Sequence, residues 1–257
     1  MKSNILDKIV AVKREEIALL RPQAGKLKQA AVARKDLRDF AGAIIKPVSL
    51  IAEIKKASPS AGVIAPHFDA IHIAREYEAA GAHALSILTD EQFFQGRIGY
   101  LGSIRDAVRL PLLRKDFIID ELQVYESVAG KADAILLIVS ILDDRQLKAF
   151  RELAEHHRLS VLVEVHDERE LDRAVASGAG IIGINNRDLR DFSVNLATTE
   201  RLAAKIGGPR SVVAESGINT RADVERVTKA GVNAILVGES LMRSGDVAGK
   251  VKELLGT

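Results

Sequence analysis

The sequence predicts a (β/α)8 barrel with extra N-terminal helices. Short apolar runs rich in Val, Ile and Leu recur eight times, with starts about 20–36 residues apart, the length of one strand–helix unit. Near-continuous runs of this kind mark strands buried on both faces of a parallel sheet. Helical-period stretches fill the intervals. Three of them end in a near-repeat, EAAGAHA, AVASGAG and TKAGVNA, which sets a glycine where a left-handed cap precedes the next strand.

Residues 1–47 read as an N-terminal helical extension, with a helix around 2–20, a turn at RPQAG and a second helix around 34–42. The barrel occupies 48–257, and no linker rich in Pro, Gly or Ser divides the chain, so 1–257 is expected to be a single domain. The strands are VSLIAEI (48–54), ALSIL (84–88), PLLRK (111–115), DAILLI (133–138), SVLVEV (160–165), GIIGIN (180–185), SVVAES (211–216) and NAILVG (233–238). The helix in 68–82 carries Ile71, Ala74 and Tyr77 at helical spacing and stops at Gly81. The next clear one opens at Asp143 or Asp144 and lines up Leu147, Phe150, Leu153 and Ala154. Another opens at Thr220 with Asp223 three residues on, and stops at Gly231. A doubly wound open sheet is the alternative, but no glycine-rich phosphate loop follows the first strand.

Composition narrows the function classes. The 257 residues are 47% apolar and 28% charged, with a net charge of +2, ordinary values for a globular protein. Only 4% are aromatic, too few for a nucleic-acid surface of basic residues and stacking rings. The absence of Cys removes disulfides, thiolate nucleophiles and Cys-bound zinc, and is compatible with a reducing cytoplasm. Residues 1–20 have no uncharged core of the signal-peptide kind, and no apolar run reaches the roughly 18–20 residues of a membrane span.

The strand ends carry polar residues that the apolar pattern does not require. In a barrel of this kind the C-terminal strand ends face the active site, and alternation decides which side chains point in. Glu53 and Lys55 share one face. Lys115 shares parity with Leu113, while Arg114 and Asp116 take the other side. Glu164 ends the fifth strand, Asn185 shares parity with Ile181 and Gly183, and Glu215 with Ser216 ends the seventh. One such charge is ordinarily a rim salt bridge. Repetition in the same phase across the strands points instead to ammoniums facing carboxylates around one mouth, the setting for acid–base chemistry. Gly217 and Gly238 open the loops after strands 7 and 8, a usual place for phosphate in such barrels, which suggests a phosphorylated substrate.

No metal-ligand spacing is present. His156 and His157 are adjacent and face different ways, His67, His72 and His83 read as surface or packing residues, and His166 is assigned to the rim.

The stretches IAEIKKASPSAGVI, LTDEQFFQG, LLRKDFIID, ADAILLI, LVEVHDE, IGINNRDL, VVAESGI and ILVGESLM follow one another from residue 48 to about 243. In this order they closely resemble the indole-3-glycerol phosphate synthase family. The resemblance implies ring closure, decarboxylation and dehydration of 1-(2-carboxyphenylamino)-1-deoxyribulose 5-phosphate, with no cofactor and no metal. It implies that Lys115 is the general acid of ring closure and Glu164 the carboxylate that takes or returns a proton. Lys55 would be a second lysine, holding an anionic group or serving as the acid of dehydration. Glu53, Asn185, Glu215 and Ser216 would orient hydroxyls and lysines. Ser58 would meet the anthranilate carboxylate, and Arg187 is a further substrate contact by position. Phe94, Phe117, Leu136 and Leu189 match the aryl wall, with plain core packing as the alternative. Gly217, Gly238 and Glu239 match the phosphate cradle. The implied protein is a cytoplasmic monomer without nucleic-acid or membrane partners, open to association with other enzymes of tryptophan synthesis.

The chain departs from the family at Ala61, where a lysine is usual, and at Lys131, where a glycine is frequent. Two other phosphosugar barrels fit less well. A phosphoribosylanthranilate isomerase would want a Cys/Asp pair, and an epimerase a metal-binding His/Asp set. A non-catalytic binding barrel would not need the lysines and carboxylates intact.

Overall fold

Side-chain alternation along each strand separates an inner from an outer core. The computed structural model describes residues 5–189 and 191–257. Its barrel strands are β1 (Ser49–Ile54), β2 (Ala84–Leu88), β3 (Leu112–Lys115), β4 (Ala134–Ile138), β5 (Ser160–Val165), β6 (Ile181–Asn185), β7 (Ser211–Glu215) and β8 (Ala234–Val237). Each pairs in parallel with its successor and β8 returns to β1, which closes the barrel. The strands lie within one residue of the apolar runs at either end.

Ile51, Leu113, Leu136, Leu162, Ile181, Val213 and Leu236 fill the interior. Phe40 and Ile44, both fully buried, join this cluster from the segment leading into β1 and so close the end at which the strands begin. The alternate residues, among them Leu50, Leu85, Leu112, Ile135 and Val161, pack under the helices.

Local chemistry sets the helix ends. Asp69, Asp120, Asp143, Asp167 and Thr220 each accept backbone N–H bonds at a helix start. Gly81, Gly178 and Gly231 take φ of 97°, 89° and 95°, the left-handed turn anticipated from the near-repeat. Lys131 takes φ 72° at the corresponding place before β4, a conformation that suits glycine and strains a lysine.

The N-terminal extension differs in part from its expected layout. Helix α1 spans Ile5–Leu20, with residues 2–4 of the expected helix outside the described residues. A single 3-10 turn, Arg21–Gln23, then leads straight into α2, Ala24–Ala33. The expected helix at 34–42 is reduced to Phe40–Ala43, capped by Asp39. Pro22 sits in the first turn, where its missing N–H costs nothing, and the run from Lys26 to Ala33 is made of helix formers, so RPQAG joins two helices rather than ending the helical segment.

Buried ion pairs tie this extension to both ends of the barrel. Where β4 begins, fully buried Asp133 accepts from Arg105 (2.8 and 2.7 Å), Arg34 (2.9 Å) and the backbone of Arg38 and Leu112. At the other end Lys13 of α1, 1% exposed, lies 2.8 Å from Asp90 and 2.9 Å from Asp116.

Two stability measurements follow. Lys131→Gly is expected to raise the urea midpoint by the equivalent of about 1 kcal/mol, since a left-handed non-glycine residue costs roughly that much. The exposed Lys131–Asp106 pair lost with it is worth less. Lys13→Met is expected to lower stability by about 3–5 kcal/mol, because it strips buried Asp90 of the ammonium that faces it and leaves Asp116 with Arg114 alone. An unchanged midpoint would show that the clamp adds nothing.

Candidate active site

Arg114, Lys115 and Asp116, three successive charges at the end of β3, go to two places. Arg114 and Asp116 turn outward and are buried under the helix Glu121–Ala129. There Arg114 lies 2.7 Å from Glu126 and 3.0 Å from Asp116. Thr89 donates to Asp116 at 2.5 Å, and Lys13 completes the set. Burial alone would raise the Asp116 pKa. Arg114, Lys13 and Thr89 outweigh it and hold the carboxyl well below the usual range.

Lys115 turns inward. Its Nζ donates to Glu164 Oε2 at 3.1 Å and lies 3.4 Å from Glu215 Oε2. The Asn185 amide donates to Glu164 Oε1 at 3.1 Å. Across the mouth Lys55 donates to Glu53 at 2.6 Å. Burial works against the Lys115 ammonium, but Glu164, Glu215 and Glu53 outweigh it and raise its pKa above the ordinary lysine range. The two carboxyls beside it diverge. Burial would raise Glu164, yet Lys115, His166 and Asn185 pull it below the carboxylate range. Burial also raises Glu215; Lys115 pulls it back, while Glu164 and Glu53 push it further up. The two carboxyls on the shared ammonium are thus pushed in opposite directions, the separation of roles that acid–base chemistry uses.

Two glycines make room for the carboxyls. A Cβ at Gly183 would collide with Glu215 Oε1, and one at Gly238 with Glu53 Oε1. Gly238 thus has a packing duty besides opening its loop. Ser216 and Gly217 both take left-handed φ, 63° and 80°. Asn186, 3% exposed, holds this turn by donating to the carbonyls of Glu215 and Ser216, while its own oxygen accepts from Thr199.

Every candidate catalytic, substrate or phosphate residue named from the sequence lines one cavity of about 700 Å³ at the C-terminal end of the strands. Phe94 and Phe117 stand 6.0 Å apart, and Leu136 and Leu189 line the same cavity. Ser58 belongs to a two-residue ladder, Ala57–Ser58 against Gly62–Val63, and its Oγ accepts from the Ala61 N–H at 3.2 Å. Arg187 lies 3.9 Å from Glu239. Ile5, Leu6 and Ile9 of α1 also line the cavity, which brings the extension into the site.

Sequence reading missed several residues here. Gly183 and Asn186 lie in or beside a strand, where only the register shows what they serve. Arg226 and Arg243 line the cavity from helices whose pattern reads as surface. His166, read as a rim residue, sits just past the end of β5 and brings its Nε2 to 3.3 Å from Glu164 Oε1.

The family described as indole-3-glycerol phosphate synthase matches residues 6–254. Curated relatives with that name include one from a Polaromonas species, 50% identical over 99% of each chain, and one from Desulfotalea psychrophila, 48% identical over 98% of each. Among solved structures, a 3-hexulose-6-phosphate synthase aligns with a TM-score of 0.64 at 18% identity, covering 81% of this chain and 98% of its own. An N-acetylmannosamine-6-phosphate 2-epimerase from Clostridium perfringens aligns at 0.63 and 14%, covering 81% and 93%. At these identities the two structures speak for the fold alone.

Gly183→Ala is expected to push the Glu215 carboxyl off Lys115 and to cut turnover about 100-fold, the scale of a 1 Å misplacement. Far-UV circular dichroism should remain that of the parent. Undiminished turnover would show that this contact does not set the position of Glu215.

Proposed function

The chain belongs to the indole-3-glycerol phosphate synthase family, and on that premise we propose how the side chains around its cavity divide the reaction. The chain is a carboxy-lyase of tryptophan biosynthesis. It converts 1-(2-carboxyphenylamino)-1-deoxyribulose 5-phosphate to indole-3-glycerol phosphate by ring closure, decarboxylation and dehydration. The observation that carries the residue assignment is the Lys115 ammonium, held between Glu164 and Glu215 at the base of the cavity.

In this reading the phosphate meets the backbone N–H groups of Gly217, Gly238 and Glu239. The aryl ring lies against Phe94, Phe117, Leu136 and Leu189. Ser58 holds the anthranilate carboxylate, and Arg187 is a further substrate contact. Asn185, Ser216 and Glu215 orient the sugar hydroxyls and Lys115. The ring carbon that bears the carboxylate attacks the ketone carbon, and Lys115 gives its proton to the ketone oxygen, which becomes a hydroxyl. Carbon dioxide then leaves, and the electrons of the broken bond restore the aromatic ring. In the last step Lys55, oriented by Glu53, protonates the hydroxyl, which departs as water. Glu164 takes a proton from the neighbouring CH2, completing the indole. The raised pKa of Lys115 suits its task, since it keeps the proton in place until a basic alkoxide develops.

The whole chain is read as one domain, because α1 contributes to the cavity wall. Among the described residues no helix is long and apolar enough to cross a membrane. The reading extends to a monomer in the cytoplasm, supported by a cysteine-free composition and open to association with neighbouring pathway enzymes.

The chain has no Trp and three Tyr, so a newly formed indole is visible by its fluorescence. The parent is expected to produce that signal from the substrate. Lys115→Ala and Glu164→Gln are each expected to lose about 10²–10⁴-fold in kcat. Retention of most of kcat in Lys115→Ala would overturn its assignment as the acid of ring closure.

A further inference from the structure

We propose that His166 is a positioning residue for Glu164: together with Glu170 it forms a carboxylate–imidazole–carboxylate line that holds the catalytic carboxyl in place and ionised. The inference rests on the assignment of Glu164 as the base. It goes beyond that assignment by giving work to a side chain and a helix end outside the substrate's reach.

The line starts inside the barrel and ends in the helix layer. His166 follows Glu164 by two residues, so the pleat turns both to the same side. Its Nε2 stands 3.3 Å from Glu164 Oε1 and its Nδ1 2.9 Å from Glu170 Oε2. The same Glu170 oxygen accepts the His166 backbone N–H at 2.8 Å, so ring and backbone are pinned by one acceptor. Glu170 sits in the first turn of the helix Glu168–Ser177, and its N–H donates to the capping carboxylate of Asp167 at 2.9 Å. The Nε2 atom is buried and makes no well-directed hydrogen bond. It therefore acts on Glu164 through its charge and proximity.

The charges around the pair are few. Glu164 faces Lys115 from β3, Asn185 from β6, Glu215 from β7 and His166 itself, with Glu53 of β1 beyond Lys115. Among the described residues, the charged groups facing His166 are Glu164 and Glu170. Burial disfavours its imidazolium, but the two carboxylates outweigh burial and raise its pKa to about 10. Glu164 thus has two cations beside it. The second matters when Lys115 gives its proton to the substrate and becomes a neutral amine. At that moment His166 is the cation that keeps Glu164 a carboxylate, ready for the proton removed during dehydration.

The test compares pH profiles of kcat and kcat/KM for the parent, His166→Gln and His166→Asn, with Glu164→Gln as the reference. Removing the cation should raise the Glu164 pKa, so the acid limb should move to higher pH by about 1–3 units. kcat on the acid side should fall while KM stays within about twofold, since His166 does not touch the substrate; a merely structural role would lower thermal stability without moving the limb. A limb and kcat equal to the parent's in folded variants would overturn the proposal. NMR titration of the His166 ring in the unmodified protein decides the matter even if the variants fail to fold. A ring still protonated at pH 8 supports the proposal, and one titrating near the ordinary ~6.5 overturns it. Full activity in Glu164→Gln would overturn the base assignment itself, whatever His166 does.

Discussion

One ammonium, that of Lys115, sets the charge state of the whole mouth. Glu164 and Glu215 come from β5 and β7 and would repel each other as two buried carboxylates. Lys115 stands within 3.1 and 3.4 Å of them, and among the described residues no second lysine reaches both. What distinguishes the two carboxyls is the remaining company each keeps. Glu164 has the Asn185 amide and the His166 ring, whereas Glu215 Oε1 has no hydrogen-bond partner among the described residues and fills the space over Gly183. A backbone with a side chain at 183 would change this division without touching any charged residue. The constraint is one of volume as much as of charge.

The same strand end couples the site to the N-terminal extension. Lys115 and Asp116 are neighbours on opposite faces of β3, and Asp116 is held by Lys13 of α1. A buried pair of this kind is weak as a source of net stability, because both charges lose their water. Its value lies in specificity. Lys13 can be buried only where both Asp90 and Asp116 meet it, and that fixes the docking of α1 over the cavity that Ile5, Leu6 and Ile9 help to wall. Asp133 does the same for the segment from Arg34 to Arg38 at the opposite end. The extension is therefore located by charge at two points and by apolar contact between them.

The barrel was legible because two-residue alternation and strand-length spacing are local signals. Parity alone assigned Lys115 inward and Arg114 and Asp116 outward, and the glycine caps at 81, 178 and 231 were readable from their near-repeat. The misreadings share a cause, dependence on partners far away in sequence or out of phase with the pattern. Gly183 reads as a weak point in a strand until the register sets Asn185 beside Glu215. His166 has the parity of Glu164, and Glu170 is only four residues on, but it lies in the next helix, out of phase with the strand pattern. In the extension, RPQAG looked like a terminator because Pro and Gly commonly are, and the helix-forming run beyond it carried too weak an apolar stripe to compete.

The cations of the cavity bear on the absence of a lysine at 61. Ala61 is anchored through its backbone, which donates to Ser58 Oγ, and the ladder to Gly62–Val63 is likewise a matter of main-chain bonds. The shape of this loop therefore owes nothing to the missing ammonium. Long-range attraction for a substrate with two anionic groups does depend on charge, and the cavity lining includes Arg187, Arg226 and Arg243. Arg226 is braced by two contacts to Glu200, and Arg243 by one to Glu239, the carboxylate that Arg187 also approaches. Arginines braced in this way lose little further freedom when an anion arrives, and their planar donors suit phosphate oxygens. The positive charge of the cavity is then carried by these arginines and the two lysines, and the loop of Ala61 is left to contribute shape.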